Sequence, residues 1–420
     1  MTTKTGAVVA GRRFGGRRDG LRTASAVLAA AAGTIFSAPA LAGPEGAQVV
    51  RGDVRIERSG PNTIIRAGDR SIINYSSFNI GANESVRFIQ PDAMSRVLNR
   101  IQSATPTRID GSLTSNGRVY IVNPAGVIFG NGAAVNVGGI FAAAGNISNT
   151  DFVRGVDRVT GMSGAVVNSG RITTTASGSV TLAGGSVVNS GSIVAPQGTV
   201  AFAAGDSVVM GNRGSNLFAR VEGSADASNG AAISNTGTVD ASGGRVLIAA
   251  GDVLGMAINT QGTIRGADIA IEGRGTGSVI ASGTIDAFNQ QTRGRTAWVN
   301  TAPSTGVYGG TVRIVGQNVA VVDASIDASG TLGGGKVEIG GGYRGTGDIR
   351  SQVTAVNSGT SIKADAVQSG NGGQVVVWAD HTTRSYADIS ARGGAQGGNG
   401  GLIETSGKEH LSVDGSGIDA

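Results

Sequence analysis

The sequence predicts an all-β fold, a right-handed parallel β-helix (solenoid) with an N-terminal cap and extra-helical β elements. Three observations favour it. A loose unit of about 20 to 25 residues recurs along the chain, its strand-like runs are about three to five residues long, and helical periodicity is nearly absent. Helical repeats do not fit this pattern, and a propeller blade needs about 40 residues, nearly twice the unit.

The first 42 residues have the features of an export signal. Five arginines from Arg12 to Arg22 form a basic region, residues 24–35 form a short apolar run, and small residues precede a cleavage site between Ala42 and Gly43. The run is too short and too rich in alanine for a membrane span. We expect the general secretion machinery to recognise it, because the paired arginines lack the hydrophobic residues that follow them in a twin-arginine signal.

All of the net positive charge lies in that segment. It contains six of the 34 Lys and Arg residues and one of the 29 Asp and Glu residues, so the remaining chain is electrically balanced. Proteins that bind nucleic acids need a surplus of positive charge to displace counterions from the phosphates. The sequence therefore predicts no nucleic-acid partner.

Composition limits how such a chain can be stabilised. It has no cysteine, so no disulfide supports the exported fold. Aromatic residues make up 4% of the sequence and hydrophobic residues 40%, so the core must consist of Val, Ile, Leu and Ala. Glycine, at 72 of 420 residues, is frequent because a coil turns sharply between strands.

The repeat is clearest beyond residue 165. Pairs of copies lie about one unit apart: residues 166–170 and 187–191, residues 178–182 and 198–202, and residues 233–237 and 258–262. Each coil would contribute about three strands and stack about 4.8 Å above the last, and about 21 residues a coil predicts about 18 coils. Asn168 and Asn189 occupy equivalent corners, so we expect their side chains to stack as a hydrogen-bonded ladder.

Residues 75–145 contain three motifs that carry a family resemblance. They are residues 77–81 (SFNIG), 99–101 (NRI) and 123–130 (NPAGVIFG). In this order they resemble the N-terminal two-partner secretion (haemagglutination activity) domain of filamentous haemagglutinin-type exoproteins. That family often has Asn-Pro-Asn at the start of the last motif, and Ala125 stands at the place of the second Asn.

The resemblance implies a site for transporter recognition and secretion. In the family this turn helps the domain engage its transporter or nucleates folding, which carries over to Asn99, Arg100, Asn123, Pro124, Ala125 and Gly126. The residues also explain the turn by themselves, because proline fixes φ, asparagine caps the turn and glycine releases the chain into the next strand. The two explanations are compatible, since a rigid turn is easily recognised.

We expect four segments along the chain. The second would include a cap that shields the open edge of the first coil, and the last would carry larger insertions and glycine clusters. The segments are a signal peptide at 1–42, the two-partner secretion domain at 43–165, regular coils at 166–290 and a glycine-rich continuation of the β-helix at 291–420.

The sequence predicts no cofactor and no metal site. His381 and His410 are the only histidines, and neither has a second imidazole or a cysteine at the usual spacing of metal ligands. Two isolated histidines also give little support to a haem scavenger.

The predicted function follows from the resemblance: a secreted filamentous haemagglutinin-like exoprotein or adhesin, and not an enzyme. A dedicated outer-membrane β-barrel transporter would recognise it in the periplasm, and it would fold outside, free or on the cell surface. The target could be a host cell, a glycan or another bacterial surface. The alternative is a β-helical polysaccharide lyase or hydrolase, which needs converging carboxylates, whereas the acidic residues here are scattered with no cluster at one coil position.

Overall fold

Short strands make up most of the protein, whose computed structural model describes residues 43–213, 216–226, 230–252, 255–292 and 305–420. The predicted export signal, with Ala42 of its cleavage site, lies outside these residues. Nearly all strands join one large sheet in which parallel pairs predominate. The predicted all-β class is confirmed.

One coil illustrates how the chain winds. It places Gly126–Phe129 on a first face, Ala134–Val137 on a second and Gly139–Ala143 on a third. The next coil pairs with these three strands in parallel register. Three strands in each coil, paired with the coils above and below, form the predicted parallel β-helix.

The remaining coil strands stack on the same faces. The first face adds Thr107–Ile109, Ala165–Asn168, Ser186–Asn189, Ala231–Asn235, Met256–Thr260, Val353–Val356, Thr382–Ser385 and His410–Ser412. The second adds Asn62–Ala67, Ser85–Ile89, Ser112–Ser115, Arg171–Thr174, Ser192–Val194, Ser361–Lys363, Asp388–Ser390 and Ile418–Asp419. The third adds Ser71–Tyr75, Arg96–Ile101, Arg118–Val122, Ser179–Gly184, Thr199–Ala204, Thr311–Val315, Lys336–Ile339, Gln374–Ala379 and Leu402–Gly407. Four long strands run through a corner and serve two faces each: Thr238–Ala250, Thr263–Gly273, Ser278–Thr292 and Asn318–Asp327.

The interior is a stack of aliphatic side chains, as the composition predicts. Along the second face from Ser112–Ser115 to Asp388–Ser390, each coil contributes one inward residue in register with the next, and each of them is at most 2% exposed. Burying such a side chain stabilises the fold by about 1.5–3 kcal/mol. The column consists of Leu113, Val135, Ile172, Ile193, Val239, Ile264, Ile285, Ile326, Ile362 and Ile389.

The coils are fewer and longer than the repeat predicts. Each face carries about a dozen strands among the described residues, where a constant length of about 21 residues predicted about 18 coils. The 21-residue step holds between Asn168 and Asn189. From Asn189 to its partner Asn235, however, the step is 46 residues, because strands outside the β-helix are inserted there.

Elements outside the coils cover the third face. The helix Asn149–Arg154 begins after its N-cap Ser148 and ends at Gly155, whose φ is 78°. Three antiparallel strands, Asp157–Thr160, Ser207–Arg213 and Asn216–Glu222, form a separate small sheet. Phe152, Val159 and Val208 from these elements pack with Tyr120 and Phe141 of the coils into a second hydrophobic cluster. The predicted extra-helical β elements are confirmed.

The N-terminal end of the β-helix is capped by antiparallel strands. Gln48–Arg51 pairs with Ser71–Tyr75, and Val54–Ser59 pairs with Asn62–Ala67. These strands cover the edge of the first coil, as the sequence predicted. A second antiparallel pair joins the end of Ser278–Thr292 to Thr305–Gly309, and a 3-10 turn lies at Tyr343–Gly345. Within the described ranges, no helix has the length and apolar character needed to span a membrane.

Candidate functional site

The Asn-Pro motif forms a tight turn between the third face of one coil and the first face of the next. The N–H of Gly126 donates to the carbonyl of Asn123 at 2.9 Å and closes the turn. The Oδ1 of Asn123 accepts the N–H of Ala125 at 3.0 Å. Pro124 and Ala125 are partly exposed at the tip, whereas Asn123 and Gly126 are buried.

Asn123 also connects the coil that ends at this turn to the coil that begins there. Its Nδ2 donates to the carbonyl of Thr105 at 3.0 Å and to the hydroxyl of Thr107 at 3.1 Å in the preceding coil. Its backbone N–H donates to the carbonyl of Ala143, in the following coil, at 3.0 Å. The side chain of Asn123 thus uses both hydrogens of Nδ2 and its acceptor Oδ1, and these three hydrogen bonds hold the turn in place.

Gly126 is required at its position. Its φ is 124°, a value that side chains disfavour, and a Cβ there would lie 2.8 Å from the carbonyl oxygen of Ala165 in the next coil. The glycine therefore allows the two coils to approach each other directly beside the Asn123 turn.

Asn99 lies inside the β-helix rather than on its surface. It is 0% exposed and aligns with Ile73 and Ile121 of the adjacent coils. Its Nδ2 donates to the carbonyl of Tyr120 at 3.0 Å, but its buried Oδ1 meets no hydrogen-bond partner among the described residues. A buried acceptor without a partner costs about 1–3 kcal/mol, so the folded state alone does not explain an asparagine here.

Arg100 points outward and holds the start of the helix against the third face. One nitrogen, Nη2, donates to the carbonyl of Ile147 at 2.6 Å and to Oδ1 of Asn149 at 2.8 Å, and Nη1 donates to Oδ1 of Asn74 at 3.3 Å. Partial burial lowers the pKa of Arg100, yet a guanidinium stays charged in proteins. In the folded chain this residue anchors the cover of the third face.

The cover brings a partly buried carboxyl to the coils. The hydroxyl of Tyr120 donates to Oδ1 of Asp157 at 3.0 Å, and burial raises the pKa of Asp157 above its ordinary value. The ring of Tyr120 stacks on Phe141 at 4.9 Å and meets Phe152 edge-on at 5.2 Å. The sequence did not suggest this cluster, because its members come from separate elements.

The predicted asparagine ladder is confirmed, and it is longer than expected. Asn168 donates through Nδ2 to Asn189 at 2.8 Å, Asn189 to Asn235 at 2.7 Å, and Asn235 to the hydroxyl of Thr260 at 3.3 Å. All four side chains are 0% exposed. The ladder lies at one corner of the first face and ties four successive coils together.

Gly43, which would follow the predicted cleavage site, is the first described residue. Its φ is 86°, and its backbone N–H donates to the carboxylate of Glu84 at 3.2 Å. The cleavage between Ala42 and Gly43 stays a prediction.

The prediction that the acidic residues are scattered, with no cluster at one coil position, is wrong. Along the second face, charged residues occupy one outward column in register: Asp240, Arg265, Asp286, Asp327 and Lys363. The Nε of Arg265 lies 3.1 Å from Oδ2 of Asp286, whose pKa is raised mainly by burial. Residues more than twenty positions apart become neighbours because each coil stacks on the last.

The two histidines are not isolated from each other, for the same reason. His381 and His410 lie on adjacent coils with ring centroids 5.3 Å apart, although 28 residues separate them in the sequence. The sequence distances between metal ligands that are usual in helices and loops do not apply to residues that become neighbours by lying one coil apart. The absence of a metal site stays a prediction.

Comparison with known proteins gives three findings. The TPS secretion domain family matches residues 40–291 of the chain. Two curated relatives from Haemophilus influenzae, both named heme/hemopexin-binding protein, are 43% and 39% identical over 100 and 101 residues. These alignments cover 24% of this chain and 11% of each relative. The crystal structure of the HMW1 secretion domain from Haemophilus influenzae has a TM-score of 0.73 and 29% identity, covering 90% of this chain and 98% of that one.

The capped parallel β-helix with its Asn-Pro turn agrees in fold with the HMW1 secretion domain. The chain belongs to the TPS secretion domain family, whose members are exoproteins of two-partner secretion. It is therefore a filamentous haemagglutinin-type exoprotein that travels through the periplasm to the extracellular space or the cell surface. Two-partner secretion implies an outer-membrane β-barrel transporter as the partner in this family. The family match runs through the coils of residues 166–290, and the division at residue 165 stays a prediction.

Proposed function

We propose that the chain is the export domain of an adhesin-like exoprotein and that its transporter reads Asn99 and Asn123 before the chain folds. Both side chains are 0% exposed in the folded protein, so a partner cannot contact them there. Of the other motif residues, Pro124 and Ala125 are only partly exposed, and the guanidinium of Arg100 is occupied by Asn74, Ile147 and Asn149.

The unpaired Oδ1 of Asn99 supports recognition by the transporter before folding. An inward position between Ile73 and Ile121 favours an aliphatic residue, and the asparagine leaves a buried acceptor unused among the residues described. In the extended chain the same amide can donate and accept freely. Asn99 therefore fits a contact made before folding better than one made after it.

Folding would then end the contact with the transporter. Outside the cell, the amide of Asn123 exchanges its export partner for Thr105, Thr107 and Ala125. Because each coil contacts only its neighbours, the β-helix can grow coil by coil as the chain emerges. A chain without cysteine has no disulfide loop to obstruct threading.

A peptide of residues 95–130 separates recognition from folding, because it is too short to form a stable β-helix. We expect it to bind the purified periplasmic part of the transporter. The double substitution N99A/N123A should weaken binding at least about tenfold, which corresponds to about 1.4 kcal/mol. Fluorescence anisotropy measures the affinity.

Substitution N116A in the same peptide is the matched control and should leave the affinity unchanged. The folded full-length chain should compete poorly with the peptide, because its two amides are buried. Equal binding by the N99A/N123A peptide, or equal competition by the folded chain, would contradict recognition before folding.

The enzyme alternative has less support. A glycoside hydrolase needs two carboxylates free to act as acid and as base or nucleophile. In the charged column of the second face, Arg265 pairs with Asp286, and Lys363 follows Asp327 in register. The target of adhesion, whether a host cell, a glycan or a bacterial surface, stays open. The binding named for the Haemophilus relatives belongs to proteins of which this chain matches 11%.

A further inference from the structure

We propose that His381, Glu409 and His410 form a binding site for a transition-metal dication such as Zn²⁺. One ligand atom from each of the three lies within 4.8 Å of the other two. The Nε2 of His381 is 3.1 Å from Oε2 of Glu409, and the two imidazole rings are tilted by 60° at 5.3 Å between centroids. Two imidazoles and one carboxylate are a ligand set that zinc uses in proteins.

The backbone fixes the positions from which these side chains extend. The N–H groups of His410 and Glu409 donate to the carbonyl of His381 at 2.9 and 3.2 Å. In the same place, Thr382 pairs with His410 in parallel register. The three Cα positions are therefore set by the stacking of two coils and do not depend on a loop.

The surroundings suit a metal ligand at His381. Its Nδ1 lies 2.6 Å from the hydroxyl of Thr382, which orients the ring and leaves Nε2 directed at Glu409. A metal would take the place of the proton that this imidazole–carboxylate contact needs. The neighbouring carboxylate of Asp380 is held by Arg350 at 2.9 Å and by Trp378, so it does not compete for the ion.

The three side chains are exposed, so they can rotate to close the gap. Tetrahedral zinc with bonds of about 2.0–2.2 Å needs its ligand atoms about 3.4 Å apart. The three ligand atoms here lie within 4.8 Å of one another, so small side-chain rotations bring them to that distance. A water molecule would complete the coordination. Because the ligands come from two coils, the ion would also tie the coil of His410 to the coil of His381.

The composition makes the test direct. The chain has two histidines and no cysteine, so an untagged protein labelled with ¹⁵N-histidine reports only these two imidazoles and offers zinc no thiolate. We expect Zn²⁺ to shift both imidazole signals and to bind with one-to-one stoichiometry in calorimetry. H381A and H410A should each weaken binding by about ten- to hundredfold, and E409Q by about tenfold.

Asp414→Asn is the matched control, because Asp414 is an exposed carboxylate close to His410 in the sequence. Its affinity for zinc should equal that of the original chain. Zinc should also slow hydrogen exchange in residues 410–412 of the original chain and not in H381A. The site would be overturned if zinc bound without shifting one of the imidazole signals. It would also be overturned if D414N weakened zinc binding as much as E409Q does. All variants should keep the same thermal unfolding without metal, since the three residues are exposed.

Discussion

Replacing Asn123 with alanine is expected to destabilise the folded chain by about 2–4 kcal/mol. The substitution removes the bonds to Thr105, Thr107 and Ala125, and it leaves the hydroxyl of Thr107, which is 1% exposed, without that partner. The backbone bond to Ala143 does not depend on the side chain and should persist. Urea unfolding followed by circular dichroism measures the change.

Two further variants identify the cause of that loss. Asn123→Asp keeps the acceptor for Ala125 but places a buried carboxylate beside the carbonyl of Thr105, so it should cost more than alanine. Asn136→Ala changes an exposed asparagine of the second face and should stay within about 0.5 kcal/mol of the original chain. If N123A and N136A unfold at the same urea concentration, the turn does not join the coils as described.

Replacing Asn189 with leucine is expected to destabilise the chain by about 2–5 kcal/mol. Asn189 is an inner member of the ladder, so leucine removes the bonds on both of its sides. It leaves Nδ2 of Asn168 and Oδ1 of Asn235 buried without their ladder partners, and leucine cannot replace either group. Urea unfolding gives the total change, and hydrogen exchange in the coils of residues 165–260 shows where it acts.

The end of the ladder provides the control for this prediction. Thr260→Val has nearly the same shape and removes only the longest bond, that of 3.3 Å from Asn235. Its expected cost is about 1 kcal/mol, well below that of N189L. Equal costs for the two substitutions would mean that the ladder contributes through packing and not through its hydrogen bonds.

The fold was predictable because its repeat is visible in the sequence. Residues 166–170 and 187–191 share both spacing and composition, and the structure pairs them in register. The first two members of the ladder followed from the same alignment. Asn235 lies in the copy at residues 233–237, but the inserted strands Ser207–Arg213 and Asn216–Glu222 lengthen the step before that coil, so the sequence did not show that it follows Asn189 directly in the ladder.

The contacts between coils were the part that the sequence did not reveal. Sequence spacing suggested isolated histidines and scattered acids, yet stacking brings His381 to His410 and Asp286 to Asp327. The number of residues between such neighbours changes with each insertion, so a single repeat length cannot identify them from the sequence. The family motif drew attention to the Asn-Pro turn, but it did not indicate that Asn99 and Asn123 would be buried in the folded chain.

We expect the chain to cross the outer membrane unfolded and its coils to form afterwards. Thr173 and Val194 are in-register partners on adjacent coils of the second face, at a separation suited to a disulfide. In T173C/V194C, secretion through the transporter should fall to background when periplasmic oxidation closes the bridge, and it should recover when a reductant is added. Each single cysteine variant should be secreted normally. Undiminished secretion of the oxidised double variant would contradict the account.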